Sequence, residues 1–359
     1  MKSDLKPDLG ALVVKRWKDT ENLLYEERRN HWLNFAFYHG HQWLWWDSRR
    51  RIVNSLPVIQ GDNERVHIVI NKMKPRWEGL TGRMLGRNLA FESQATAADD
   101  ATMQGAQLAE WIVESMRDDQ DWESIRAENL FNCLASGTSA IAVEWEPKQE
   151  RLWLNAQDQN VAGEGSVKLN PLAITEFTVE GGSRRWHDAN WWISCVTEPP
   201  EQIRERLDLS WTPTPDASAT FSPLQRRVMS ERGIGATVSL SAVYTMYEKP
   251  TRREPEGRRC VIVNGRTVVN EPWPFAFDHL NLQVFRAADV PSRWTGDTFM
   301  NDARKVQTLY NLVRSSIAEH IKQAGNARLL PTSAPHSVSD RDITQDVMQS
   351  GVDGRQGLT

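Results

Sequence analysis

This sequence lacks most of the signatures of catalysis and of disulfide-stabilised folds. Its three cysteines, Cys133, Cys195 and Cys260, are odd in number and lie about 60 residues apart. That spacing fits neither a compact metal site nor a disulfide framework, so it predicts a reducing, cytoplasmic setting. The phosphate-binding loop G-x-x-x-x-G-K-[ST] and the zinc motif H-E-x-x-H are both absent. Without the phosphate loop, the chain is not expected to be an ATP-driven motor.

Long apolar runs and a basic charge balance are also missing. No stretch approaches the roughly 18 apolar residues that a membrane span requires, and Met1–Asp4 does not begin a signal peptide. The formal net charge of −4 argues against a protein that chiefly grips a phosphate backbone, because that task requires a basic face. A neutral or acidic surface suits a protein that DNA passes without adhering.

Tryptophan is what the sequence has in excess. Its 16 tryptophans outnumber the five tyrosines and the ten phenylalanines. Side chains this large must be buried in cores, at subunit contacts, or in both. A chain of 359 residues is long enough for a sizeable core and for about two globular units.

Residue periodicity predicts an α+β fold with a helical first part and a β-rich middle. Helical spacing covers three stretches, namely 11–38 (ending before Gly40), 75–87, and 96–134 as two successive helices. Short β-branched runs predict strands at Val66–Ile70, at Ser139–Glu146, and repeatedly between residues 150 and 290. The dipeptide Asn264-Gly265 predicts a hairpin, since it supplies the positive φ angles of a type I′ turn.

A long helix is predicted over 298–324. Its apolar residues step by three and four and form one stripe: Phe299, Ala303, Val306, Tyr310, Val313, Ile317 and Ile321. Two interpretations of this stripe remain open at this stage. It packs either into the core of its own chain or against copies of itself.

Two patterns raise the possibility of metal chemistry. Glu146 and Lys148, next to Glu144, match the E-x-K pair that ends a strand in metal-dependent nucleases, and Asp119 or Asp121 would complete such a site. The alternative is a half-buried strand with charged residues facing water. His31, His39 and His41 could gather a metal ion, or could be polar residues at a helix end. We favour the non-catalytic, metal-free interpretation in both places.

Three tryptophans lie beside a run of arginines. Trp43, Trp45 and Trp46 precede Arg49–Arg51. Together they could stack on bases and bind phosphates. We interpret the tryptophans instead as packing anchors at a subunit interface, where large aromatic residues concentrate binding energy.

Four segments, in order along residues 30–320, resemble the portal proteins of tailed bacteriophages, of the podovirus type found in the short-tailed Salmonella phages. Phe35–Trp43 is similar to the family's F-Y-x-G-x-Q-W start, and Ile68–Met73 with the residues to Asn88 is similar to its N-K-…-G-…-R-x-N segment. The third segment, Leu134–Pro147, is similar to a G-x-G-x-x-x-V step from helix to strand. The fourth comprises Tyr247–Thr251 and then Gly296, Asp297, Asp302, Gln307, Asn311 and Ser315, and resembles the G-…-D-x-Q-x-x-x-N-x-x-x-S helix.

The resemblance implies a ring, typically of twelve subunits, through which DNA enters and leaves a capsid at one vertex. It implies a wing at 1–295 (helical over 1–135, β-rich over 138–295), a stem helix at 296–325, and the start of a polar clip at 326–359. Family members continue with a tunnel-loop helix and a crown, which we expect this chain to lack.

The resemblance also implies partners and a location. The expected partners are further copies of the chain, the terminase large subunit, tail adaptors, capsid and scaffolding proteins, and double-stranded DNA bound without sequence specificity. No cofactor, catalytic residue, metal or membrane is implied. The protein would be made in the host cytoplasm and end in the virion. A head-completion or tail protein that forms no channel is the structural alternative.

Candidate site residues follow from the implied stem helix and from the tryptophans. We expect the channel to be lined by the polar residues Arg304, Lys305 and Lys322. We expect the subunit interface to include Trp43, Trp45, Trp46, Tyr310, Val313 and Ile317.

Overall fold

A computed structural model describes residues 9–47, 52–55, 66–87, 91–97, 99–146, 165–215, 240–252 and 254–325. The chain divides into two units, one drawn from 1–55 and 71–307 and the other from 56–70 and 308–359. The fold is α+β, as the periodicity predicts. None of the described helices combines the length and hydropathy that a bilayer span needs. The predicted clip at 326–359 lies outside the described residues.

Helices dominate the chain up to residue 136. In order, they and one short hairpin are α1 (Leu9–Leu23), α2 (Tyr25–Tyr38), β1 (Leu44–Asp47), β2 (Ile52–Ser55), α3 (Met73–Leu85), α4 (Asp100–Asp119) and α5 (Trp122–Ser136). Gly40, with φ at +92°, follows the end of α2, as predicted.

The single helix predicted over 11–38 is wrong in one respect, because the helix breaks at Leu24. Neither glycine nor proline marks the break, and Leu24 itself is buried in the main core. The break lets two helices pack against different partners. Val13 and Trp17 of α1 pack on the large sheet, whereas Phe37 of α2 packs with α3 and α5. Tertiary packing therefore overrides a continuous helical pattern here.

Antiparallel strands dominate from residue 138 to residue 286. The described elements of this region and the helix after it are β3 (Thr138–Glu146), β4 (Ser166–Ala173), β5 (Phe177–Val179), a 3-10 turn (Trp186–Asp188), β6 (Trp191–Glu198), α6 (Pro200–Arg206), β7 (Ser241–Glu248), β8 (Arg258–Val263), β9 (Arg266–Glu271), β10 (Leu282–Arg286) and α7 (Met300–Gly325). They form a three-stranded sheet in the order β10-β3-β4 and a five-stranded sheet in the order β5-β6-β7-β8-β9.

The hairpin predicted at Asn264-Gly265 is confirmed. Asn264 and Gly265 join β8 to β9 with φ angles of 49° and 76°. Positive φ at both central positions is what a type I′ turn requires. Local turn chemistry was therefore sufficient to predict this part of the five-stranded sheet.

The main core depends on large aromatic side chains, as the tryptophan excess predicts. Trp192 stacks on Tyr247 with ring centroids 5.1 Å apart, and its indole nitrogen donates to the Asn281 side chain over 2.9 Å. The buried tryptophans of the described chain are Trp17, Trp77, Trp186, Trp191, Trp192 and Trp294. Trp111 and Trp145 are exposed instead.

A buried arginine ties α2 to the sheet region. Arg28 donates to the carbonyl oxygens of Ile174 (3.1 Å) and Phe177 (3.2 Å), and its guanidinium lies 4.5 Å from the ring centroid of Trp17. Burial lowers the Arg28 pKa, partly offset by nearby Glu21. The carbonyl oxygens and the ring replace the water that a buried guanidinium loses.

Candidate functional site

Two turns of the backbone approach each other closely just before α7. Gly137, with φ at +90°, follows α5, and a Cβ placed there would lie 2.7 Å from the carbonyl oxygen of Gly296 and 2.7 Å from the carbonyl carbon of Asp297. A Cβ on Gly296 would lie 2.5 Å from the Gly137 oxygen. Only glycine permits this approach, because both collisions are with backbone atoms. The turn after α5 and the turn before α7 are thus fitted to each other.

Hydrogen bonds fix this junction of the two turns. The Gly296 amide donates to the Thr138 hydroxyl over 2.8 Å, and the Thr298 hydroxyl donates to the Leu134 carbonyl over 2.7 Å. The Asp297 carboxylate accepts from the Thr298 amide over 2.7 Å and from the Asn301 side chain over 2.8 Å. A carboxylate at this position is also stabilised by the positive, N-terminal end of the helix dipole. Several bonds therefore hold the turn before α7 against the end of α5.

The first turns of α7 also bind α2. The Asn34 side-chain amide donates to the Ala135 carbonyl over 2.8 Å and to the Asn301 side chain over 3.0 Å. Arg304 donates to the side-chain oxygens of Asn30 and Asn34, each over 3.0 Å. Burial, with a smaller contribution from the charge of Arg29, lowers the Arg304 pKa to about 10. Arg304 therefore stays cationic near neutral pH while it holds α7 against α2.

One face of α7 is polar and buried, which reverses the usual arrangement of an amphipathic helix. Gln307, Asn311 and Ser315 are each no more than 5% exposed. Within the first unit, the Gln307 side-chain oxygen accepts from the Lys72 amide over 3.0 Å. Within the second, Asn311 accepts from the Ile70 amide over 3.2 Å and Ser315 from the Ile68 amide over 2.9 Å. We call these three residues the inner face of α7.

The spacing of the inner face explains these bonds. Four residues of α-helix rise about 6.0 Å. Two residues of extended chain advance about 6.6 Å, and alternate amides point to the same side. Side chains at 307, 311 and 315 therefore match the amides at 72, 70 and 68. The strand predicted at Val66–Ile70 is accordingly wrong, because this segment gives amides to helix side chains and pairs with none of the strands in the described part of the chain.

Asn71 binds the end of α2 and the start of α3. Its side-chain nitrogen donates to the carbonyl oxygens of Phe37 (3.1 Å) and Tyr38 (2.9 Å). Its side-chain oxygen accepts from the amides of Met73 and Lys74 over 3.1 Å each. Asn71 thus satisfies amides at the start of α3 that the helix itself leaves unpaired.

Parts of all four segments that carry the portal resemblance lie in these contacts. Phe37 and Tyr38 belong to the first segment, Asn71 and Lys72 to the second, Gly137 to the third, and the residues from Gly296 to Ser315 to the fourth. Tyr247–Thr251, also quoted for the fourth, lies elsewhere, at and just after the end of β7, and Tyr247 alone of these residues belongs to the main core. Residues from all four resembling segments therefore take part in the contacts near the start of α7.

The opposite side of α7 is apolar and exposed. Val306, Leu309, Val313 and Ile317 are between 46% and 68% exposed. They recur at intervals of three and four residues and so form one face of the helix, which we call the outer face. The predicted stripe is therefore not core within the described chain. Of its members, Ala303 and Tyr310 are partly buried, whereas Val313 and Ile317 are exposed.

The remaining predicted site residues are scattered. Lys305 and Lys322 are exposed, and Lys305 pairs with Asp302 over 3.0 Å. Trp43 is partly buried. Trp45 and Trp46 lie in β1, where their backbones pair with Asn54 and Val53 of β2. The side chains of Trp45 and Trp46, and all of Arg49–Arg51, lie outside the described residues.

The carboxylate next to the nuclease pattern is partly buried and accepts hydrogen bonds. Glu144 accepts from the Asn170 side chain over 2.6 Å and from the Tyr247 hydroxyl over 3.3 Å. Burial raises its pKa. The Glu146 side chain and Lys148 lie outside the described residues, so the E-x-K hypothesis stays a hypothesis. Over the described ranges, no group of three or more His, Cys, Asp or Glu residues could hold a metal ion.

Comparison with known proteins assigns no relative. No protein-family model matches the chain, and no curated protein matches it significantly.

Sequence reasoning did not identify the inner face of α7 as a set of backbone ligands. A signal was present, since Gln307, Asn311 and Ser315 are amide and hydroxyl residues spaced four apart, about one helical turn, on the side opposite the apolar stripe. That regular polar spacing is what a bonded extended segment requires. The resemblance included these residues without giving them a physical role.

Removing one hydrogen-bond acceptor from the inner face should break the bond to one backbone amide and leave the other bonds in place. Replacing Ser315 with alanine should speed hydrogen exchange at Ile68, and Asn311→Leu should do so at Ile70. Each loss should lower the free energy of unfolding by about 1–2 kcal/mol. Site-resolved hydrogen exchange measures the effect, with Ser316→Ala on the exposed side of the same turn as the matched control. Unchanged exchange at Ile68 and Ile70 would contradict the assigned bonds.

A buried histidine on α2 should make stability depend on pH. His31 is 4% exposed, and burial lowers its pKa from 6.5 to about 4. As the pH falls below 6.5, the unfolded chain binds a proton that the folded chain excludes, so stability decreases. The loss should reach about 2 kcal/mol at pH 5 and about 3 kcal/mol near pH 4. Urea unfolding of the wild type and of His31→Phe at each pH measures it, and parallel curves for the two proteins would refute the assignment.

Proposed function

We propose that this chain is a portal-type subunit that assembles with copies of itself into a ring through which DNA passes, and that it acts without catalysis. The observation that carries the proposal is the convergence of the four resembling segments on the start of α7. A helix fixed by so many specific contacts at its base, and left apolar on its outer face, is suited to packing against other subunits.

The arrangement of α7 supports a role in assembly for a physical reason. Its inner face is occupied by backbone amides of the same chain, so this side is not available to another subunit. Its outer face exposes four large aliphatic side chains to water. Exposed apolar patches of this kind mark association surfaces, because covering them releases about 25 cal/mol per Å².

The charge of the chain supports passage of DNA rather than tight binding. A net charge of −4 leaves DNA without a broadly basic surface to adhere to. In the proposed ring, Lys305 and Lys322 are exposed cations that could approach the phosphate backbone, whereas Arg304 is engaged with Asn30 and Asn34. The proposal includes twelve subunits, docking of the terminase and tail adaptors, contact with capsid and scaffolding proteins, and a place at a capsid vertex.

Particle mass and electron microscopy test the proposal together. The purified chain should form closed rings whose mass is an integer multiple of 41.1 kDa, near twelve copies. In assembled particles the ring should occupy one vertex. A strictly monomeric protein at every concentration, also when co-expressed with other head proteins, would refute a ring. An ordered position in the tail without a ring at the vertex would favour a head-completion or tail protein.

Charge reversal tests the channel residues. In particles built with Lys305→Glu or Lys322→Glu subunits, packaged DNA per particle should fall several-fold, since each subunit of the ring presents the new charge to phosphate. Glu201→Lys, on the short helix α6, is a matched surface charge reversal that should leave packaging unchanged. Normal packaging by both lysine variants would remove these residues from the channel.

A further inference from the structure

Helix α4 exposes apolar side chains along one face and has no buried residue along its length. Leu108, Trp111 and Ile112 are 56%, 68% and 51% exposed, and their spacing of three and four residues puts them on the same side. We call these three residues the α4 face. An exposed tryptophan between two exposed aliphatic residues is the type of anchor found at the centre of protein interfaces.

The charge around the α4 face is strongly acidic. Over its twenty residues, α4 carries five carboxylates against the single arginine Arg117, which gives a net charge of −4. Glu114, Asp118 and Asp119 lie in the second half of the helix, next to Trp111 and Ile112 in sequence. A partner for this face should therefore be apolar along its centre and positively charged around it.

Helix α7 has those properties. Its outer face is apolar over three turns. Arg304 is held by Asn30 and Asn34 of α2, and the rest of the helix carries three arginines and lysines against two carboxylates, a net charge of +1. Arg314 and Lys322 belong to its second half, where the outer face continues to Ile321. The α4 face and the α7 outer face are thus complementary in charge and alike in apolar character.

We infer that the α4 face of one subunit docks on the outer face of α7 in the next copy of the chain. This inference rests on the proposed self-assembly and specifies its contact. Because two different surfaces meet, the interface is heterologous, and a heterologous contact whose rotation closes produces a ring. Pairing between unlike charges also favours this register over α4 against α4, since two helices of charge −4 repel each other.

Cysteine cross-linking between differently tagged copies tests the contact. One copy carries Leu108→Cys, the other Leu309→Cys, and a short bismaleimide joins thiols that lie close together. The native cysteines are all buried. Burial raises the pKa of Cys133 to about 11 and that of Cys195 to about 12, and it also raises the pKa of Cys260. Such thiols react slowly, so the introduced cysteines should dominate.

The expected result is a cross-linked product that contains both tags in at least tenfold excess over products joining two copies of the same variant. As a second measurement, replacing both Asp118 and Asp119 with lysine should weaken assembly at least tenfold and reduce its salt dependence. Leu23→Cys, with a leucine 66% exposed on α1, is the matched control and should not cross-link to Leu309→Cys.

Three outcomes would overturn the inferred contact. Each can be distinguished from a failure of the proposed self-assembly. Cross-links only between like positions would indicate a different register. Cross-linking within one dilute chain that carries both cysteines would mean that α4 is covered by its own subunit. Rings that form without any product joining the two tags would refute this contact alone. If the wild type never assembles, the proposed function fails together with it.

Discussion

The double substitution Leu309→Asp and Val313→Asp in the outer face of α7 should convert an assembled particle into a monomer of 41.1 kDa. Both side chains are at least half exposed in the single chain, so the fold should tolerate aspartate there. At an interface, each substitution loses about 1.5–3 kcal/mol of apolar burial and places a carboxylate in a dry contact. Association should therefore weaken at least 100-fold, measured by mass photometry across a dilution series.

The control for this prediction uses the same chemical change elsewhere. Leu23→Asp on α1 introduces one aspartate at a leucine of similar exposure and should leave the particle mass unchanged. Circular dichroism and thermal melting of all variants show whether the fold is retained. If the double variant assembles like the wild type, the outer face of α7 is not the interface. If Leu23→Asp disrupts assembly equally, the effect is not specific to α7.

Gly137→Ala should be the most destabilising single methyl addition at the junction before α7. The left-handed backbone at φ +90° costs an L-residue about 1–2 kcal/mol. The new Cβ would also lie 2.7 Å from backbone atoms of Gly296 and Asp297, and such overpacking costs about 1–3 kcal/mol more. The free energy of unfolding should therefore fall by about 2–5 kcal/mol, measured by urea denaturation.

Gly182→Ala separates the two contributions. Gly182 has a similar φ of +96°, but a Cβ there would meet nothing within 4 Å. This variant should lose only the backbone contribution of about 1–2 kcal/mol. Equal losses for Gly137→Ala and Gly182→Ala would mean that the two turns can separate at no energetic cost.

Turns and helix ends depend on interactions between residues close in the chain, and the sequence predicts them well. The turn at Asn264-Gly265, the end of α2 before Gly40, and the helix now bounded as Met300–Gly325 all follow from local rules. They do so because turn chemistry and helical periodicity act between residues close in the chain. The β-branched run at 66–70 shows the limit of such rules. Its composition predicts a strand, but composition cannot identify what accepts its amide hydrogens.

The choice between core and surface also depends on distant residues. The apolar stripe on α7 is compatible with a core position or a surface position. The outcome depends on which face of the helix forms contacts with other parts of the chain. Here Asn311 and Ser315 bind the amides of Ile70 and Ile68, more than 240 positions away, and leave the aliphatic face exposed. For Arg304, the sequence indicates an exposed cation, whereas Asn30 and Asn34 of α2 hold it partly buried. No local pattern contains that information.

The sequence by itself determined the α+β class, many of the helices and strands, the glycine at 137 and the polar spacing along α7, because each is set by neighbouring residues. The tertiary structure alone decided that Gly137 meets Gly296, that the helix pattern over 11–38 breaks at Leu24, and that the polar side of α7 is its buried side. The physical reason is that backbone amides must be satisfied and apolar surface covered by whatever the folded chain brings close. On α7 the amides are satisfied within the chain, and the apolar face is left for a partner.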